Sequence, residues 1–99
     1  MEKQMKKIYD LKSGENVIIE EADVLEVFDV KKIAKKDGTR VSMQEVLIDD
    51  KSGGIILKLW GDKVNTLKVN DKVRVEGYVS DFKGQLSISV AYGKIEMIK

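Results

Sequence analysis

Two stretches of the chain alternate apolar and polar side chains and carry their aromatic residues on the polar side. In Ile55-Ile56-Leu57-Lys58-Leu59-Trp60, Ile55, Leu57 and Leu59 share one face of a strand, while Lys58 and Trp60 share the other. In the run from Val73 to Phe82 the valines share one face and Arg74, Tyr78 and Phe82 the other. Such strands bury their aliphatic side and leave rings and cations in water.

The remaining pattern predicts three more strands and two short helical pieces. Met1, Met5, Ile8 and Leu11 recur at helical spacing, which predicts a short N-terminal helix or turn closed by Ser13-Gly14. A long extended run follows from Asn16 to about Lys35. Its alternation slips near Glu20-Glu21 and again after Leu25, as a bulged or bent strand would. Lys36-Asp37-Gly38-Thr39 reads as a tight turn into a second strand, Val41 to Ile48. Asp49 to Gly54 turns the chain into the third strand, which ends at Trp60. Gly61-Asp62 then opens a short helical segment, with Asp62 as its cap and Val64 and Leu67 on one face. A fourth strand starts at Lys72, Lys83-Gly84 turns it, and a fifth carries Leu86, Ile88 and Val90 inward and Gln85, Ser87 and Ser89 outward. The segment Lys94 to Ile98 extends the fifth strand in this reading.

Five strands in 99 residues are too few for a sandwich of eight and suit a small closed barrel, in which no sheet edge is left exposed. The expected fold is therefore all-β. A five-stranded barrel with a bent first strand and a short helix between its third and fourth strands has the element order of the OB-fold. That fold also serves sugars and proteins, so it does not set the function.

Composition narrows the choice by exclusion. The chain has no Cys, hence no disulfide or thiolate metal site, and no His, hence no imidazole base or ligand. It has no phosphate-binding Gly loop and no convergent pair of carboxylates, so an enzyme, a cofactor or a small-molecule substrate is not expected. No signal-peptide pattern opens it and no apolar stretch approaches the ~20 residues of a membrane span, so a cytoplasmic protein with no membrane contact is expected. Residues 1–99 are expected to form one domain, either a minimal protein or one unit of a longer chain. Net charge is only +1, but Lys31, Lys32, Lys35, Lys36 and Arg40 fall within ten residues, opposed only by Asp37.

The segment from Val46 to Gly61, an aliphatic strand, an acidic Gly turn and a strand ending in Trp-Gly, resembles a signature of archaeal single-stranded-DNA-binding proteins and replication protein A. Ile8-Tyr9-Asp10-Leu11-Lys12-Ser13-Gly14, Lys36-Asp37-Gly38, Asn70-Asp71-Lys72-Val73, Gly77 to Gly84 and Ala91 to Glu96 resemble further parts of that family, in the right order. The resemblance covers nearly the whole chain. It implies an OB-fold that binds single-stranded DNA in replication, recombination and repair, with stacking rings at Trp60, Tyr78 and Phe82. Many family members carry further domains, a zinc-binding element or a disordered tail; none of these is expected within residues 1–99.

Each candidate has a structural alternative. An isolated Trp at a strand end is usually core, but here Ile55, Leu57 and Leu59 already fill the inward face. Exposed rings and cations are the parts that stack bases and hold phosphates. Besides Trp60, Tyr78 and Phe82, the candidates for nucleic-acid contact are Lys58, Arg74 and Lys83 beside the rings, and Lys35, Lys36 and Arg40 on the first hairpin, with Lys31 and Lys32 behind them. Glu76 faces the same way and should oppose binding. Gln85, Ser87 and Ser89 either leave room for a nucleic acid or are an ordinary exposed strand. Tyr9 is expected to plug the barrel end, and Tyr92 to edge the cleft or brace the terminus. Asp49-Asp50 is expected to form a turn rather than a metal site. The leading expectation is sequence-tolerant binding of single-stranded DNA. The competing one is a protein-interaction or oligomerisation module, with replication or repair proteins as partners.

Overall fold

The strands are placed by the alternation and bent where it slips. A computed structural model describes residues 4–98, of Gln4, Ala91 and Tyr92 the backbone only. Met1 and the Tyr92 side chain, both named above, lie outside the described residues. Strand β1 is Gln4–Met5, β2 Asn16–Val27, β3 Lys31–Ala34, β4 Arg40–Asp49, β5 Gly54–Trp60, β6 Lys72–Phe82 and β7 Gln85–Met97. β2 pairs with β6, β6 with β7, β7 with β5, β5 with β4, and β4 again with β2, which closes a ring of five strands. β1 adds to β2 in parallel and β3 adds to β4 as a hairpin.

β2 reaches two neighbours because it bends twice. Its pairing with β6 shifts between Ile19 and Ala22, where Glu20 and Glu21 both point to solvent, and its pairing with β4 shifts between Val24 and Glu26. Both shifts fall where the alternation slips, since an extra residue returns the next aliphatic side chain to the interior. The long extended run is not one strand but two: residues 28–30 leave the sheet, and the Phe28 N–H donates to the Glu45 carbonyl. The core is aliphatic, from Val17 and Ile19 through Leu57 and Leu59 to Ile88 and Val90.

The two expected helical pieces are single 3-10 turns. The N-terminal one, expected as a helix or turn, is the turn Ile8–Asp10, which follows the two-residue strand β1. That turn buries Ile8 and Leu11 and leaves Tyr9 80% exposed, so Tyr9 does not plug the barrel. The reason lies in the Asp50 carboxylate, which accepts from the Ile8 N–H at 2.9 Å, and in Ser52 Oγ, which accepts from the Tyr9 N–H. The second helix is only the 3-10 turn Gly61–Lys63, and Asp62 does not cap it. Asn65 takes a left-handed conformation (φ 61°) that ends any helix there, while Leu67 is buried in the core and Val64 packs against it, as their spacing predicts.

Asp49 and Asp50 build the expected turn: Asp49 accepts from the Lys51 N–H, and Asp50 from the Ser52 N–H and hydroxyl. Burial works against the Asp50 charge, but the Ser52 hydroxyl and the N–H groups of Ile8, Ser52 and Gly53 outweigh it and hold the carboxyl below its ordinary range. Because the folded state favours the charged form, its stabilisation is present above about pH 4 and is lost as pH falls through the lowered value. Asp50→Asn is expected to lower stability by about 1 kcal/mol at neutral pH. In denaturant titrations from pH 7 to pH 2, the gap between variant and wild type should close on acidification; a gap independent of pH would count against the tether.

Candidate nucleic-acid interface

The hairpin registers decide which outward side chains meet. Across β4 and β5, Asp49 pairs with Gly54, which places Glu45 beside Lys58 and Met43 beside Trp60. The β6–β7 hairpin turns on Lys83 (φ 53°) and Gly84 (φ 83°), the two positive-φ residues of a type I′ turn, and pairs Phe82 with Gln85, Ser80 with Ser87 and Tyr78 with Ser89. Ring closure between β5 and β7 pairs Lys58 with Ser89 and Ile56 with Ser87. One outer row therefore runs Glu45, Lys58, Ser89, Tyr78 and Asn16 across five strands, and the next runs Leu47, Ile56, Ser87 and Ser80.

All three rings lie outside the core cluster. Phe82 is 68% exposed and Tyr78 47%, while Trp60 is half-buried with its indole N–H donating to Ser89 Oγ at 2.9 Å. Phe82 edges a groove of about 320 Å³ shared with Glu45, Ile56, Lys58, Gln85 and Ser87, and the Lys83 ammonium stands 5.4 Å from its ring centroid. The structure thus gathers Trp60, Tyr78, Phe82, Lys58 and Lys83 on one face.

Arg74 is set apart. It lies four residues before Tyr78 on β6, beside Glu96 of β7, and its guanidinium meets Glu76 and Glu96 at 3.2 Å each. The pairing also answers the expected repulsion, since Glu76 is paired with a cation. Lys35, Lys36 and Arg40 are exposed on the β3–β4 hairpin, which runs on past the last β4–β5 pair, Met43 with Trp60. By alternation Arg40 faces away from Trp60, as does Lys32, whose ammonium donates to Ser42 Oγ. Lys31 is the partner of Met43 and falls in the Trp60 row. Of the small outward residues, Gln85 is open, but Ser87 is only 5% exposed and its hydroxyl pairs with that of Ser80.

The sequence reading did not single out Met43, Glu45 or Ile56. Met43 is buried yet outside the core cluster, next to Trp60 in register. The signal for all three was available: Asp49 to Gly54 is a hairpin turn, and counting back from it pairs 45 with 58 and 43 with 60. Glu45 places a carboxylate in the groove beside Lys58, which makes that face less basic than its lysines imply.

Comparison with known proteins agrees with this fold. The second OB-fold domain of replication protein A from Methanococcus maripaludis superposes with a TM-score of 0.83 at 28% identity, over 97% of this chain and 96% of that one. An OB domain from Thermoplasma acidophilum gives a TM-score of 0.83 at 26% identity, over 99% of this chain and 89% of that one. The single-stranded DNA binding protein Ssb of Saccharolobus solfataricus is 29% identical over 84 residues, 84% of this chain and 56% of its own length, so the chain spans about half of that relative. Residues 8–97 match the family described as single-stranded DNA binding protein Ssb-like, OB fold, and the chain belongs to that family.

Proposed function

We propose that this domain binds single-stranded DNA without strong sequence preference, as a unit of the replication and repair machinery, by stacking bases on Trp60, Tyr78 and Phe82. The observation that carries the reading is one solvated sheet face holding three rings outside the core, with Lys58 and Lys83 among them. Trp60 lies two residues beyond Lys58 on β5, and Phe82 four residues beyond Tyr78 in the opposite direction on β6. The rings therefore mark a diagonal about 20 Å long across three strands, which suits the short end of the ~4–16 nucleotides covered by one such domain. Lys31, Lys35 and Lys36 on the β3–β4 hairpin continue the track beyond Trp60. Rings accept any base, and lysines follow the backbone as point charges.

Titration of a short oligo-dT against Trp60 fluorescence tests the reading. Quenching that weakens with added salt is expected; no quenching at low salt would overturn it. Lys58→Ala should reduce the slope of log affinity against log salt by about 1. Arg74→Ala, whose guanidinium is held by two carboxylates, should leave that slope unchanged. Docking of a protein partner is the second reading, favoured by exposed Leu25, Val69 and Met97 near the Asn70–Lys72 end of the ring. Self-association in sedimentation that survives Trp60→Ala would support it.

A further inference from the structure

A tryptophan on a solvated sheet face has two free torsions and one hydrogen-bond donor, and here a single neighbour engages that donor. The Trp60 indole N–H donates to Ser89 Oγ at 2.9 Å across the β5–β7 closure. Ser89 lies on the strand between β5 and β6, and is the register partner of both Lys58 and Tyr78. Its side chain is one bond long and its backbone is held in two ladders, so it is a stiff anchor. A ring tied at its edge to such an anchor keeps one orientation and loses less freedom when a base stacks on it. With its N–H engaged inside the protein, the indole has no hydrogen bond to offer a base edge, and only its π face takes part. A π face fits every base alike.

The geometry points to Ser89 as the positioning residue of the Trp60 platform: it fixes the plane of the indole and withholds its N–H from the nucleic acid. This rests on the base-stacking reading of Trp60. It is distinct from a role for Ser89 in contacting DNA: the hydroxyl oxygen acts here as the acceptor that holds the ring. A large residue at 89 would stand between Lys58 and Tyr78 in the middle of the row, so the position also asks for a small one.

The full chain provides the test. In wild type, the Trp60 indole N–H signal in proton–nitrogen correlation spectra is expected to exchange with solvent more slowly than a free indole, and Ser89→Ala to abolish that protection. Ser89→Ala should weaken oligo-dT binding about three- to tenfold, the range of one lost hydrogen bond, while the salt slope stays as in wild type. Ser89→Thr, which keeps the hydroxyl, should restore both the protection and the affinity. Free exchange of the wild-type indole, or a folded Ser89→Ala domain that binds as tightly as wild type, overturns the inference. If Ser89→Ala does not fold, Ser89→Cys, with a weaker acceptor of similar size, carries the same expectation. Wild type that fails to bind oligo-dT defeats the stacking reading itself, and indole exchange then still decides whether Ser89 holds the ring.

Discussion

Trp60→Ala is expected to weaken binding of oligo-dT at least tenfold and to leave the domain folded. Stacking on one aromatic side chain contributes about 1–3 kcal/mol per base, which corresponds to roughly five- to 150-fold in affinity. The upper half of that range applies to a ring that is already half-buried and tied by its N–H, because such a ring gives up little entropy on stacking. The fold should survive because the β5 face that supports the barrel consists of Ile55, Leu57 and Leu59, while Trp60 stands outside the core cluster. Some stability should be lost, since Met43 is buried beside Trp60 in register and would be uncovered. Isothermal titration with thermal unfolding of the same sample separates the two effects. A variant that unfolds, or one that binds like wild type, would show that the indole is a structural residue. Phe82→Ala removes a more exposed ring and should weaken binding by less.

Gly93→Ala should have the largest effect on stability, about 3 kcal/mol. A Cβ at this position would overlap the Glu76 carbonyl oxygen and lie 2.9 Å from the Glu76 carbonyl carbon and 3.4 Å from Gly77 Cα. All three are backbone atoms, so no flexible side chain can yield. The close approach sits where the β6–β7 register shifts between Glu76 and Tyr78, and β7 crosses from its β5 contacts to its lower pairing with β6. Relief would require opening that irregularity. Gly38→Ala is the control: its φ of 88° disfavours a side chain, but nothing lies within 4 Å of the added carbon. It should lose only about 1 kcal/mol, the conformational term alone. Denaturant unfolding of the two variants distinguishes steric overlap from backbone preference; equal losses would place the overlap in doubt.

Much of the fold is legible in the chain because burial on a strand has a period of two. The slips at Glu20-Glu21 and after Leu25 mark the β2 bends, and the parity of Lys58 and Trp60 against Leu57 and Leu59 marks which side is wet. Helical spacing was less informative. Ile8 and Leu11, and Val64 and Leu67, are buried or packed as their spacing predicts, but the first pair bridges a single 3-10 turn and the second follows one, with the left-handed Asn65 between its members. Two apolar residues three apart satisfy either geometry, and at Ile8–Leu11 the hydrogen bonds that choose between them come from Asp50 and Ser52, over forty positions away. Arg74 shows the same limit. Its parity with Tyr78 is correct, yet its acid partner Glu96 becomes its neighbour only through the shifted β6–β7 ladder.

The sequence by itself determined the inward faces of β2, β4, β5, β6 and β7 and the turns that join β4 to β5 and β6 to β7, because alternation and turn chemistry act over a few residues. Only the tertiary structure decided that β5 lies beside β7, and so that Ser89 meets Trp60 and Lys58 stands level with Tyr78. The physical reason is that ring closure pairs parallel strands with no turn between them. Their register follows from how the whole aliphatic interior packs, and no local pattern encodes it.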